Sequence, residues 1–398
     1  MTAALPALPA MLPMPVGPRL REALQWAHQR WAGVAVAAFL RLPAEDPECP
    51  DLHDLDLMLF GPVRGFIPQR AWSPSGVAVD LAWYPEGWLA QPERIAAAGL
   101  AAHRLASSAR LWGGSTAARA CRPAVEACMG RPDLQAARLS VFLDMARLAV
   151  RETGITQDLP SLARLWLQMA ASAAVGALAD SHGLICPNVY TRPFVTLDAI
   201  EQAVGLDLRG ALQPAFALHD DLPAVAAGLQ RMLGEVERGF ADPAWPPAMR
   251  EATRAEFAYS ASRLELDWRL AVAREMASRG GTAAALWMLR FWAWTLARLP
   301  MVWQAAAEGR DIAFLRPERA VRPALQALCP ALLCDFDLAL GGPVDGAALA
   351  RAHDAVQALR ELLVQRLQAS AGPGLAVAPW QAHRPAGTPA PPHGALVA

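Results

Sequence analysis

A chain of 398 residues with 54% hydrophobic content carries enough apolar mass for two or three buried cores. Its 36 basic residues nearly balance 37 acidic ones, for a net charge of −1, so charge gives no case for nucleic acid or an anionic membrane as partner. All the basic residues are arginine. Without a lysine amine, Schiff-base chemistry, a P-loop lysine and the paired lysine of protein kinases are excluded.

The first segment, residues 1–18, has no charged leader before its apolar residues and is interrupted by Pro6, Pro9, Pro13, Pro15 and Pro18. It reads as a disordered arm rather than a signal peptide. Arg19–Ala32 has the apolar spacing of a short helix, and Gly33–Leu42 reads as a buried strand. A Pro-rich acidic loop, Pro43–His53, leads into a strand over Asp54–Phe60. A connection through Gly61, Pro62, Gly65, Pro68 and Pro74 follows, then a strand over Gly76–Tyr84. Gln91–Leu105 reads as one helix, Ser107–Trp112 as a short strand, and Gly113-Gly114-Ser115-Thr116 as a turn that caps a helix.

From about Asp133 the pattern becomes long Ala/Leu/Arg-rich helical segments. They are separated by breaks near Thr153–Pro160, Cys186–Pro193, Asp242–Pro247, Gly280–Gly281 and Gly341–Gly346. No fixed-period repeat points to a solenoid. The apolar stretches Leu165–Ala179 and Ala283–Trp303 are too short, or are interrupted by Arg290 and Arg298, and read as buried helices rather than membrane spans. Residues 371–398, rich in Pro, Gly and Ala, read as a disordered tail. The expected fold class is therefore α+β: a small mixed-sheet domain over 19–130, followed by a large all-α region over 131–370 in one or two bundles. Six cysteines with neither a CxxC pair nor regular spacing fit a reducing cytoplasm better than a zinc module or a disulfide framework.

The chemistry-bearing pattern is Asp54-Leu55-Asp56-Leu57, followed by Asp80 within Val77–Trp83. Alternation along a strand points Asp54 and Asp56 to one face, roughly 6.5–7 Å apart along the chain, with Leu55 and Leu57 opposite. If the strand carrying Asp80 lies alongside, three carboxylates converge. Such a cluster repels itself unless a cation sits in it, and two Mg²⁺ ions about 3.5–4 Å apart are the usual solution in phosphoryl-transfer sites. The plainer reading is that the aspartates solvate a strand end.

A strand, a loop of about ten residues, a D-h-D-h strand and an h-D-h strand ahead of a helical region resemble the nucleotidyltransferase superfamily of minimal and aminoglycoside-type enzymes. The resemblance spans roughly residues 20–200 and includes the strand at Ser107–Gly114 and the Asn188–Pro193 turn. It implies that Asp54 and Asp56 hold Mg²⁺ with a nucleoside triphosphate, and that Asp80 is a third ligand or the base for an attacking hydroxyl. The product is then a nucleotidylated alcohol on a small molecule or a protein. Members carry a Gly-Ser pair 9–13 residues before the first aspartate, and here Arg41 and Leu42 stand in that position. The intervening loop adds Glu45, Asp46, Glu48 and Asp51, which repel phosphate. Arg41, Arg64 or Arg110 would then take over the phosphate contacts, and the alternative is a catalytically silent relative that binds a protein partner through its helices.

Other signals have simpler explanations. His219-Asp220-Asp221-Leu222-Pro223 resembles the first aspartate-rich motif of isoprenyl diphosphate synthases but lacks its later aspartate, so helix capping explains it. Asp335-Phe336-Asp337-Leu338 repeats the D-h-D-h pattern with no later h-D-h strand. Gly113-Gly114-Ser115 could cradle a phosphate, although a turn and cap suffice. Trp287, Trp292, Trp294 and Trp303 lie at helical spacing, which favours core packing over an aromatic ligand pocket. His53 reads as a bystander beside Asp54.

Overall fold

The computed structural model describes residues 18–41, 54–155, 160–186, 193–205, 207–216, 221–241, 262–290, 292–293, 296, 335 and 346–371. The acidic loop 43–53 with His53, residues 188–192 of the turn that ends at Pro193, His219, Asp220, Trp294 and Trp303 lie outside them. The fold is α+β, with a five-stranded mixed sheet and helix over most of the described residues. It divides into two compact units. The first holds the described residues up to Val141 together with 180–186, and the second holds the rest.

In the first unit, α1 (Pro18–Trp31) precedes β1 (Ala37–Arg41), β2 (Leu55–Gly61), β3 (Ile67–Trp72) and β4 (Ala78–Pro85). A 3₁₀ turn over Glu86–Ala90, α2 (Pro92–Ala96), α3 (Leu100–Ala106), β5 (Ser108–Trp112), α4 (Thr116–Met129) and the start of α5 (Pro132–Ile155) follow. The strand order is β3-β4-β2-β1-β5, with β2 and β4 parallel and the other neighbours antiparallel. The chain reaches this arrangement by leaving β2 at Gly61, running out along the edge strand β3, and turning at Ser73–Gly76. There the Gly76 N–H bonds the Ser73 carbonyl (2.9 Å), and Gly76 takes a φ of 72° that suits glycine. β4 is thereby laid between β3 and β2, so β2 and β4 begin at the same end of the sheet.

β3 replaces the structureless connection expected over Gly61–Pro74. Its sequence Ile-Pro-Gln-Arg-Ala-Trp carries a proline, which only an edge strand tolerates, and its exposed and half-buried residues give no continuous apolar run. The single helix expected over Gln91–Leu105 is also divided. Gly99 adopts φ +56° between α2 and α3, a backbone region that breaks the helical path, and the preceding 3₁₀ turn is started by Pro85.

Alternation along the strands builds two apolar layers. Leu55, Leu57 and Leu59 of β2, Val79, Leu81 and Trp83 of β4 and Leu40 of β1 pack with Ala23, Leu24, Ala27 and Trp31 of α1. The opposite face presents Phe39, Met58, Phe60, Ala82 and Tyr84 to Ile95, Leu105, Cys121 and Val125 of the helices on that side. Beneath those helices Arg138 is 1% exposed. Its Nε donates to Asp180 Oδ1 (2.9 Å), and its terminal nitrogens donate to the carbonyls of Ala96 and Met129 (2.7 Å each), the last residues of α2 and α4. One buried cation thus satisfies two helix C-termini, where orphan carbonyls and the negative dipole end favour positive charge. The Nε2 of His103 lies 3.3 Å from the same Asp180 oxygen, while its Nδ1 accepts the Cys186 N–H (3.3 Å).

Every regular element among the described residues of the second unit is a helix. α6 (Pro160–Ser181) is its most buried element. Residues 161–181 are long and apolar enough to cross a membrane by composition, with a mean hydropathy of 1.3, but 94% of that window is buried inside the protein. The helix is longer at both ends than the Leu165–Ala179 stretch expected from the sequence, so its burial and not its length is what sets it in the core. Further helices cover Pro193–Val204, Leu208–Phe216, Leu222–Ala241, Arg263–Ser278, 282–290 and Gly346–Ala371. Asp221 caps the third of these, accepting the Ala224 N–H (2.9 Å), which is the capping role its sequence suggested. Trp287 is fully buried against the rings of Phe194 and Phe216, and Trp292 is also buried. Asp335, from the second D-h-D-h, accepts both Nε and a terminal nitrogen of Arg231.

Candidate functional site

The parallel register sets Asp56 of β2 directly beside Asp80 of β4. Cross-strand partners share a face, and Asp54, two residues before Asp56, joins them. One oxygen from each of the three carboxylates lies within 4.8 Å of the others. The sheet therefore gathers the three aspartates on the face that also carries Met58, Phe60 and Ala82, at the end where β2 and β4 begin.

Two arginines join them. The antiparallel β3–β4 register puts Arg70 opposite Asp80, and its guanidinium forks onto the carboxylate, Nε to Oδ1 at 2.6 Å and a terminal nitrogen to Oδ2 at 2.8 Å. The same terminal nitrogen reaches Asp54 Oδ2 at 3.2 Å. On the other side, the β1–β2 register continues from Leu40–Leu57 to bring Arg41 against Asp56, with which it forms an ion pair. The row Arg70–Asp80–Asp56–Arg41 thus crosses four adjacent strands. Within it the cations are the more enclosed partners. The Arg70 and Arg41 side chains are 6% and 13% exposed, against 20%, 23% and 33% for Asp54, Asp56 and Asp80, so the acidic side opens toward solvent.

Asp54 is the electrostatically perturbed member. Burial and the neighbouring charges of Asp56 and Asp80 outweigh Arg70 and Arg41, and its carboxyl is pushed up to about 7. Carboxylate oxygens are hard donors, and those of Asp54, Asp56 and Asp80 lie close enough together to hold a divalent metal ion. Asp80 has both oxygens engaged by Arg70, so a metal ion or a proton would share those oxygens with the guanidinium.

Of the arginines expected at a phosphate, Arg41 is in the row but is paired to a carboxylate. Arg64 is exposed in the β2–β3 connection, at the opposite end of β2 from Asp56. Arg110 lies two strands away on β5, and its guanidinium turns to the Gly113 carbonyl at the end of its own strand. Neither Arg64 nor Arg110 meets the acidic cluster. Gly113 also proves structural. Its φ is +119°, and a Cβ there would sit 2.8 Å from that of Ala37, while Ser115 caps α4 by accepting the Ala118 N–H at 3.1 Å. The sequence carries no local signal for Arg70, because β3, which positions it, has no continuous apolar run.

The sequence matches no family model and no curated relative. Among solved structures the chain is similar to a nucleotidyltransferase-like protein from Exiguobacterium sibiricum 255-15. The alignment has 10% sequence identity, covers 80% of this chain and 91% of that one, and has a TM-score of 0.28. At that score the likeness adds nothing to the geometry, and the functional reading stands on the row of charged residues.

Proposed function

We propose that the protein is a Mg²⁺-dependent nucleotidyltransferase-like enzyme that moves a nucleoside monophosphate from an NTP to a hydroxyl of a small molecule or protein. The observation that carries this reading is the convergence of Asp54, Asp56 and Asp80 from two parallel strands to within 4.8 Å. Asp54 and Asp56 would hold the metal, and Asp80 would complete the set or accept the proton of the attacking hydroxyl. When bound, the ions would supply charge neutralisation at the reacting phosphate and the leaving pyrophosphate. The sheet contributes orientation, since carboxylates fixed on rigid strands need little rearrangement to receive the ligand.

A second reading has its own support. Arg41 and Arg70 already neutralise most of the cluster's charge, as they would in a silent relative whose acidic row is a structural ion-pair network and which acts as a binding protein. Thermal-shift and calorimetric titrations with ATP, CTP, GTP and UTP, each with and without Mg²⁺, separate the two. The enzyme reading expects metal-dependent stabilisation by at least one nucleotide that Asp54→Asn abolishes. Indifference to all four, with and without metal, supports the silent relative.

A further inference from the structure

The Arg70 fork bears on how the acidic cluster can fill. With all three carboxylates ionised, the row carries three negative and two positive charges, a net −1. A divalent cation entering alone meets two guanidinium groups at close range and competes with Arg70 for both oxygens of Asp80 and for Oδ2 of Asp54. Two divalent ions arriving with a triphosphate, four positive charges with four negative, leave the net charge of the site unchanged. They also offer the displaced guanidinium a phosphate, whose oxygens suit the same planar fork.

We propose that Arg70 is the exchangeable cation of this site. It holds Asp80 and Asp54 until metal and polyphosphate enter together, then passes from the carboxylates to the phosphate, so that each ligand binds well only with the other. This rests on the nucleotidyltransferase reading above and assigns Arg70 a positioning role within it. Arg70 is the better placed of the two arginines because it engages two aspartates and bonds both oxygens of Asp80, whereas among the described residues the ion pair of Arg41 is with Asp56. Among the described residues β3 is the edge strand of the sheet, which places Arg70 at its margin.

The test is calorimetric titration of the full chain with MgCl₂ alone, with tripolyphosphate alone in EDTA, and with each in the presence of the other. It compares wild type with Arg70→Gln and Arg70→Lys, with folding verified by circular dichroism. In wild type the two ligands should strengthen each other's binding by about tenfold or more, within the usual range for coupled sites. Arg70→Gln removes the competing charge and the phosphate partner. It should bind Mg²⁺ alone about tenfold more tightly than wild type and lose most of the mutual strengthening. Arg70→Lys keeps the charge without the fork and should fall between them, and it carries the comparison if Arg70→Gln does not fold. Mg²⁺ affinity unchanged in the folded substitutions, or wild type binding Mg²⁺ equally well with and without polyphosphate, overturns the role of Arg70 while leaving the metal site intact. If no variant binds either ligand in any combination, the nucleotidyltransferase reading itself fails and the role of Arg70 falls with it.

Discussion

Asp54 has neighbours of opposing charge, and their balance has a pH signature in the metal-free protein. Its folded carboxyl titrates at about 7, against 3.8 as the ordinary value, so the folded state holds this proton more tightly than the unfolded chain does. The stabilisation is complete below about pH 4, shrinks as pH rises, and is gone above about 7. Asp54→Asn mimics the protonated form at every pH. Urea midpoints of wild type and Asp54→Asn in EDTA, taken from pH 5 to 8, should therefore show wild type losing ground to the variant as pH rises through 7. A gap that stays constant would mean that Arg70 and Arg41 cancel the burial and the repulsion. The acidic residues themselves were legible because period-two alternation fixes a face from local sequence alone. Their counter-charges were not. That Arg70 faces Asp80 is decided by the length and geometry of the Ser73–Gly76 turn, a register no local pattern records.

At the scale of elements, what could be read follows how each element is stabilised. β1, β2 and β4 are buried on both sides and show as apolar runs, whereas β3 is held by its hydrogen bonds to β4 at an exposed edge and so lacks that signature. The Gly99 break is not visible in the sequence, because one glycine inside an alanine-rich stretch is compatible with a continuous helix until a positive φ is required. Nor does sequence reveal that Arg138 joins α2, α4 and Asp180, since its partners lie 42, 9 and 42 residues away. Asp180 is 1% exposed, and removing its charge leaves a buried guanidinium short of its anion. Asp180→Asn should therefore cost about 3–5 kcal/mol in urea unfolding, whereas replacing both members by apolar residues of similar volume should recover part of that loss. A cost within the range of an ordinary surface substitution, about 0.5 kcal/mol, would show that the ion pair is dispensable to these helix ends.

For the whole molecule, the informative feature is that the chain re-enters its first unit at residues 180–186 after the long helices α5 and α6. An expected boundary near 130 divides the sequence by composition, from mixed to helical, and composition has no way of recording a return. The segment is anchored where the Cys186 N–H meets His103 and where the Asp180 carbonyl accepts Gln135 Nε2 at 2.8 Å. Cooperative unfolding should follow these contacts rather than the order of the chain. Cys121, in the helical layer beside the sheet, and Cys186, in the returning segment, are both buried, and burial pushes both thiols above their ordinary range, which leaves little thiolate to react while the unit is folded. Pulse alkylation across a urea series, read by peptide mass spectrometry, should find both cysteines protected in the native protein and exposed in one shared transition. If Cys186 became reactive at distinctly lower urea than Cys121, the returning segment would be an independently fraying strap, and the sheet, together with the aspartate row it carries, would owe its stability to residues before 142 alone.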